Sequence, residues 1–132
     1  MNSKIMPFTH TEFYNAEMGN EIFRQWQAYE KKILPSELAK IKVLTNQLEK
    51  KFSNADNGRK INIDPGYISL CNLVLASTKN YSHRIYIDLG IYAEVTLIFK
   101  HGHFMPLEWT YPDYKEPIAL EFFEKVRILL KK

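Results

Sequence analysis

The spacing of apolar residues divides the chain into segments of different period. After Pro35, Leu38, Ile41, Leu44, Leu48 and Phe52 recur at steps of three and four, which predicts an amphipathic helix over about 36–52 with proline at its start. Ile118, Phe122, Val126 and Leu129 repeat the pattern after Pro117 and predict a second one over about 117–131. Between them the period shortens to two. Ile91, Ala93, Val95, Leu97 and Phe99 alternate with Tyr92, Glu94, Thr96, Ile98 and Lys100, the signature of a strand over 91–100.

A strand at about 83–88 precedes it, and its register follows from the connection. A two-residue loop would set Ile85 opposite Glu94, apolar against charged. A three-residue loop, Asp88-Leu89-Gly90 with Gly90 left-handed, sets Ile85 opposite Ala93 and Arg84 opposite Glu94, and is preferred. His101-Gly102 reads as a tight turn into a third strand over 103–109, which pairs Phe99 with Phe104 and brings Trp109 beside Glu94. The segment containing Pro112 then leaves the sheet.

The remaining pattern is less regular. Ile5 to Phe8 reads as a short strand, Thr9 to Gly19 as a loop, and residues 21–33, where helical and alternating patterns compete, as a strand. Asn54, Asp56, Asn57 and Gly58 make 53–59 a turn-rich linker, followed by a short strand at 60–63. Asp64-Pro65 has the form of a helix start. The apolar run Ile68, Leu70, Cys71, Leu73, Val74, Leu75 and Ala76 predicts a buried central helix over about 65–78. The expected fold is one α+β domain over residues 1–132, a small mixed or antiparallel sheet packed by three helices.

Composition adds limits. With 132 residues, 45% hydrophobic and 25% charged, the chain can bury a core. A net charge of +3 without long basic runs does not demand nucleic acid. Cys71 is the only cysteine, which excludes an internal disulfide and a cysteine zinc cluster, and points to the cytoplasm. No apolar stretch is long enough to span a membrane.

Several phrases also carry a resemblance. EMG at 17–19, NIDPGY at 62–67, LVLASTK at 73–79, YSHRIY at 81–86, GIYAEVTL at 90–97 and WTYPDY at 109–114 resemble the bacterial domain-of-unknown-function family 4416. The resemblance implies the fold and a set of positions, and no activity. It also implies a further strand and helix ahead of Ile5, so that the chain is read as a fragment or half of an assembly, with a sheet edge left for another copy or a partner chain.

Three of those phrases mix Asp, His, Arg, Trp and Tyr at the ends of predicted elements, which core packing does not require. On the register above, Arg84, Tyr86, Tyr92, Glu94, Thr96 and Trp109 share one face, with Lys79 and His83 near one end. Such a face suits a small anionic or nucleotide-like ligand, and cofactors are left unspecified. Lys79, His83 and Arg84 would bind charge, Glu94 and Asp113 (with His83) would orient or transfer protons, and Tyr86, Trp109 and Tyr111 would form walls. Against this stands a simple cross-strand Arg84–Glu94 ion pair. Asp64 is read first as a helix cap and second as part of an anion-binding edge. His83 falls on the apolar face beside Val95. His101 and His103 belong to a turn, with no third metal ligand at a standard spacing. The rival reading is a non-enzymatic module that binds RNA or protein through an open sheet face or edge.

Overall fold

The computed structural model describes residues 1–8, 22–53, 58 and 60–131. The readings of 9–19 and 54–57 lie outside the described residues. Two short strands, β1 (Met6–Pro7) and β2 (Phe23–Arg24), pair antiparallel. A 3-10 turn at Pro35–Glu37 leads into α1 (Leu38–Lys51). Then follow β3 (Gly66–Ile68), β4 (Asn72–Ser77), β5 (Arg84–Asp88), β6 (Ile91–Lys100) and β7 (His103–Pro106). A second 3-10 turn at Pro112–Lys115 precedes α2 (Pro117–Leu129). The five later strands form one antiparallel sheet in the order β3-β4-β6-β5, and β7 also pairs with β6. The fold is α+β, as expected, but with two α-helices among the described residues.

The helix expected at 65–78 is a β-hairpin, β3 and β4. Leu73 and Leu75 pack with Leu97, Phe104, Phe122 and Phe123 on one face of the sheet, while Val74 and Ala76 pack with Leu38 and Ala39 of α1 on the other. A central strand buried on both faces is apolar at every position, the same pattern a buried helix shows. The turn between the strands is held by Ser69, whose Oγ accepts from the amides of Cys71 and Asn72. Gly66 belongs to the sheet rather than to a helix: a Cβ there would collide with the carbonyl of Val74. Cys71 is therefore exposed in a turn, not buried in a helix. Residues 60–63 form no strand; the Ile63 amide donates to Glu49 Oε2 at 2.7 Å and its carbonyl accepts from Lys42 Nζ.

The β5–β6 register is the expected one, with Arg84 opposite Glu94 and Ile85 opposite Ala93. The extra residue sits elsewhere. Leu89 and Gly90 form a two-residue turn with φ of 54° and 78°, and the register shifts between Tyr86 and Asp88, making Ile87 the bulged residue. His101 and Gly102 turn in the same left-handed way, and Phe99 faces Phe104. β7 stops at Pro106, short of the expected 109.

Candidate functional site

β4 and β5 both pair with β6 from opposite sides, so residues 78–83 must cross over β6 to connect them. They cross on the face that carries Glu94. This crossing places His83, which the sequence assigned to the apolar face, directly on the carboxylate: His83 Nε2 lies 2.9 Å from Glu94 Oε1. The strand alternation could not show this, because His83 sits in the turn before β5 begins.

A second irregularity builds the opposite wall. In β6, Leu97 pairs with Leu73 and Val95 with Val74, so Thr96 is skipped by β4; β5 ends its pairing at Glu94 and β7 begins at Leu97. The segment after β7 fills that gap. Trp109 Nε1 donates to the Val95 carbonyl at 2.7 Å, and Thr110 Oγ1 donates to the Thr96 carbonyl at 2.6 Å. Trp109 is thereby held flat against His83, ring centroids 4.8 Å apart and nearly parallel, while Tyr81 lies parallel on the other side at 6.0 Å.

Glu94 is 2% exposed and is fully used by its neighbours. Its Oε1 accepts from His83 and from Arg84 Nε at 3.1 Å, and its Oε2 accepts from Thr96 Oγ1 at 2.7 Å. Such a set is what a buried carboxylate requires, since burying it without partners is strongly unfavourable. A carboxylate only accepts, so His83 Nε2 carries the proton and, in the neutral ring, Nδ1 holds the lone pair. Nδ1 has no hydrogen-bonding partner among the described residues, and the His83 side chain is 21% exposed.

Arg84 is the other supporting group. Beyond Glu94, its Nη1 donates to Ser77 Oγ at 3.0 Å and to the Lys79 carbonyl at 3.1 Å, and its Nη2 donates to Tyr111 Oη at 2.8 Å. Four of its five N–H groups are engaged, and its side chain is 6% exposed. Burial raises the Tyr111 phenol above its ordinary pKa, Arg84 opposing and Glu94 adding. Tyr111 Oη accepts from Arg84, and its own O–H has no acceptor among the described residues.

The other expected residues separate from this group. Tyr86 packs edge-on against Tyr92, and its hydroxyl accepts from the Gly90 amide, so it stabilises the β5–β6 turn. Asp64 caps no helix. It accepts from Arg24 Nη1 at 3.1 Å and from Asn62 Nδ2 at 3.2 Å. Asp113 meets Arg24 Nη2 at 2.9 Å. Arg24, which the sequence reading overlooked, thus joins two carboxylates and lies within 6 Å of the rings of Phe8, Trp26 and Tyr114. The alternation of Ile22, Arg24 and Trp26 in the sequence was the available signal. Burial works against the Arg24 charge, but Tyr114, Asp113 and Asp64 outweigh it and raise its pKa. Burial likewise drives the Tyr114 phenol far above its usual range, with Asp64 adding and Arg24 opposing.

His103 Nδ1 lies 3.0 Å from Glu124 Oε1 beside α2, and no group of three metal-capable side chains occurs among the described residues. No helix among them is long and apolar enough to cross a membrane. A cleft of about 400 Å³ lies on the other face of the sheet, lined by Pro35, Ser36, Leu38, Ala39, Tyr67, Ile87, Asp88 and Ala93. It contains none of the candidate site residues named from the sequence.

The family model described as Domain of unknown function (DUF4416) matches residues 1–129, and the chain belongs to that family. No curated protein and no solved structure matches it.

Proposed function

We propose that this DUF4416 chain binds a small anionic, planar ligand beside His83, with His83 Nδ1 as hydrogen-bond or proton acceptor and Glu94 as the residue that positions it. One observation carries the reading: a buried carboxylate fixes one ring nitrogen, while the other is partly exposed and has no partner among the described residues. Carboxylate-oriented histidine is the arrangement that general acid–base chemistry uses.

The roles differ from those expected of the residue types alone. Arg84 is a positioning residue, since its donors are committed to Glu94, Ser77, Lys79 and Tyr111. Charge on the ligand would meet the exposed Lys79 and the Tyr111 hydroxyl, and its flat part would lie against Trp109 or displace Tyr81, which is exposed. Asp64 and Asp113 serve Arg24 and take no part.

The test is an NMR titration with inorganic phosphate and with AMP. At about 10 mM, ten times a millimolar Kd, AMP should shift the His83 ring and Trp109 indole signals saturably, and phosphate should shift them less. His83→Gln should abolish both responses. No shift at these two side chains with either probe rejects the anionic reading. The rival module reading is favoured by one feature, the exposed apolar edge at β5.

A further inference from the structure

Where α1 packs on the sheet, the facing residues Ala39 and Ala93 are small, and the cleft of about 400 Å³ opens beside them. That volume falls within the range of about 300–1,000 Å³ found for small-molecule sites. Tyr67 pairs with Val74 and Asp88 with Ile91, and Val74 and Ile91 pack against α1, so Tyr67 and Asp88 stand on that same face of the sheet. Both reach the cleft, one from β3 and the other from β5. The His83 site lies on the other face, because Glu94 alternates with Ala93 along β6.

We infer that this cleft is a second binding site, for a small organic monocation that carries a primary amine on an apolar body. The inference rests on no part of the His83 reading. Polar groups in the lining decide the charge of the ligand. Asp88 is the only charged residue among the described residues that line the cleft; its Oδ1 accepts from the Leu89 amide, and its Oδ2 has no partner among the described residues. Tyr67 Oη and Ser36 Oγ make no hydrogen bond among those residues either. A carboxylate and two hydroxyls can all accept, and an ammonium group offers three N–H donors and no acceptor.

Other ligand charges fit this lining less well. An anion would meet the Asp88 carboxylate, with no lysine or arginine among the described lining residues to offset the like charge. A helix start ordinarily attracts anions, but here Pro35 has no N–H to offer and Glu37 Oε2 accepts from the Leu34 amide at 2.6 Å, which already sets a carboxylate at that end. A neutral ligand could use the apolar walls, Pro35, Leu38 and Ile87, yet it would leave the Asp88 charge unpaired. The apolar body therefore supplies contact, and the amine supplies selectivity.

Three probes with one apolar body separate these cases: 2-phenylethylamine, 2-phenylethanol and phenylacetate, each titrated to about 10 mM, ten times a millimolar Kd, against the full chain. NMR should show the amine shifting the Ala39 and Ala93 methyl and Tyr67 ring signals saturably, while the His83 ring and Trp109 indole signals stay in place. The amine should bind about fivefold more tightly than the alcohol, the gain expected of an ion pair at a partly exposed carboxylate, and phenylacetate more weakly than either. Asp88→Asn keeps the acceptor used by the Leu89 amide and the exposed position, so it should leave the far-UV spectrum and the affinity for the alcohol unchanged and remove the preference for the amine. No saturable shift at the cleft signals with the amine, phenylacetate binding as tightly as the amine, or a preference that survives Asp88→Asn would each overturn the inference.

Discussion

Two clusters in this chain use the same vocabulary, an arginine, a buried carboxylate and aromatic rings, to different ends. Around Arg24 every strong group faces another: Asp64 and Asp113 take its two terminal nitrogens, and Phe8, Trp26 and Tyr114 surround the guanidinium. That cluster ties β2 to the segment before β3 and to the turn before α2. Around Glu94 the carboxylate and Arg84 are equally committed, but they support a third group, His83, whose second nitrogen has no partner among the described residues. The contrast teaches that a buried ion pair by itself does not mark a site. What separates the two clusters is a titratable atom left at the surface, held in place by groups that are not.

The largest expected effect belongs to the closed cluster. Arg24→Met keeps much of the stem but removes the guanidinium that meets Asp113, whose side chain is only 6% exposed. Breaking a buried pair from one side costs about 3–5 kcal/mol, and the lower end applies because Arg24 is partly exposed. Urea unfolding measures this, and a loss below about 1 kcal/mol would show that the cluster is not the tie described.

Next comes an alkaline effect. The phenol of an unfolded Tyr114 ionises near pH 10.0, whereas burial keeps the native one protonated well above that. Above pH 10 the native state therefore holds more protons, and stability present below that pH falls by about 1.4 kcal/mol per unit as pH rises. Urea midpoints between pH 9 and pH 11, chosen as about one unit either side of that value, should fall more steeply for the wild type than for Tyr114→Phe. Parallel slopes would mean that the Tyr114 phenol ionises in the native state.

How much of this contrast the sequence carried can be traced to particular residues. The alternation from Ile91 to Phe99, with the glycines at 90 and 102, was enough to pair Arg84 with Glu94 and Phe99 with Phe104. Those are local relations, set by short turns. The hairpin at 66–77 was not legible as strand, because Leu73 to Ala76 is buried on both faces and carries no alternation. Its misreading as helix hid Ser77, and the passage of residues 78–83 across β6 depends on strand order, which no local pattern encodes. For the same reason His83 was set on the wrong face, and Arg24 was not connected with Asp64, 40 residues away.

The smallest expected change in stability is the sharpest test of the comparison. In His83→Gln the side-chain amide can occupy the place of Nε2 and still donate to Glu94, so the buried carboxylate keeps all three donors and Arg84 is undisturbed. What is lost is the stacked ring between Tyr81 and Trp109, together with the lone pair at Nδ1. The expected cost is within about 1 kcal/mol, the range of a hydrogen bond or ring contact partly replaced. Urea unfolding beside Arg24→Met therefore decides what kind of group His83 is. A loss near 3 kcal/mol, matching the low end for a broken buried pair, would make His83 one more strut, and the two clusters would differ only in which residues they join. A loss below about 1 kcal/mol, accompanied by disappearance of the AMP-induced shift at Trp109, would mean that the fold holds His83 in place without depending on it.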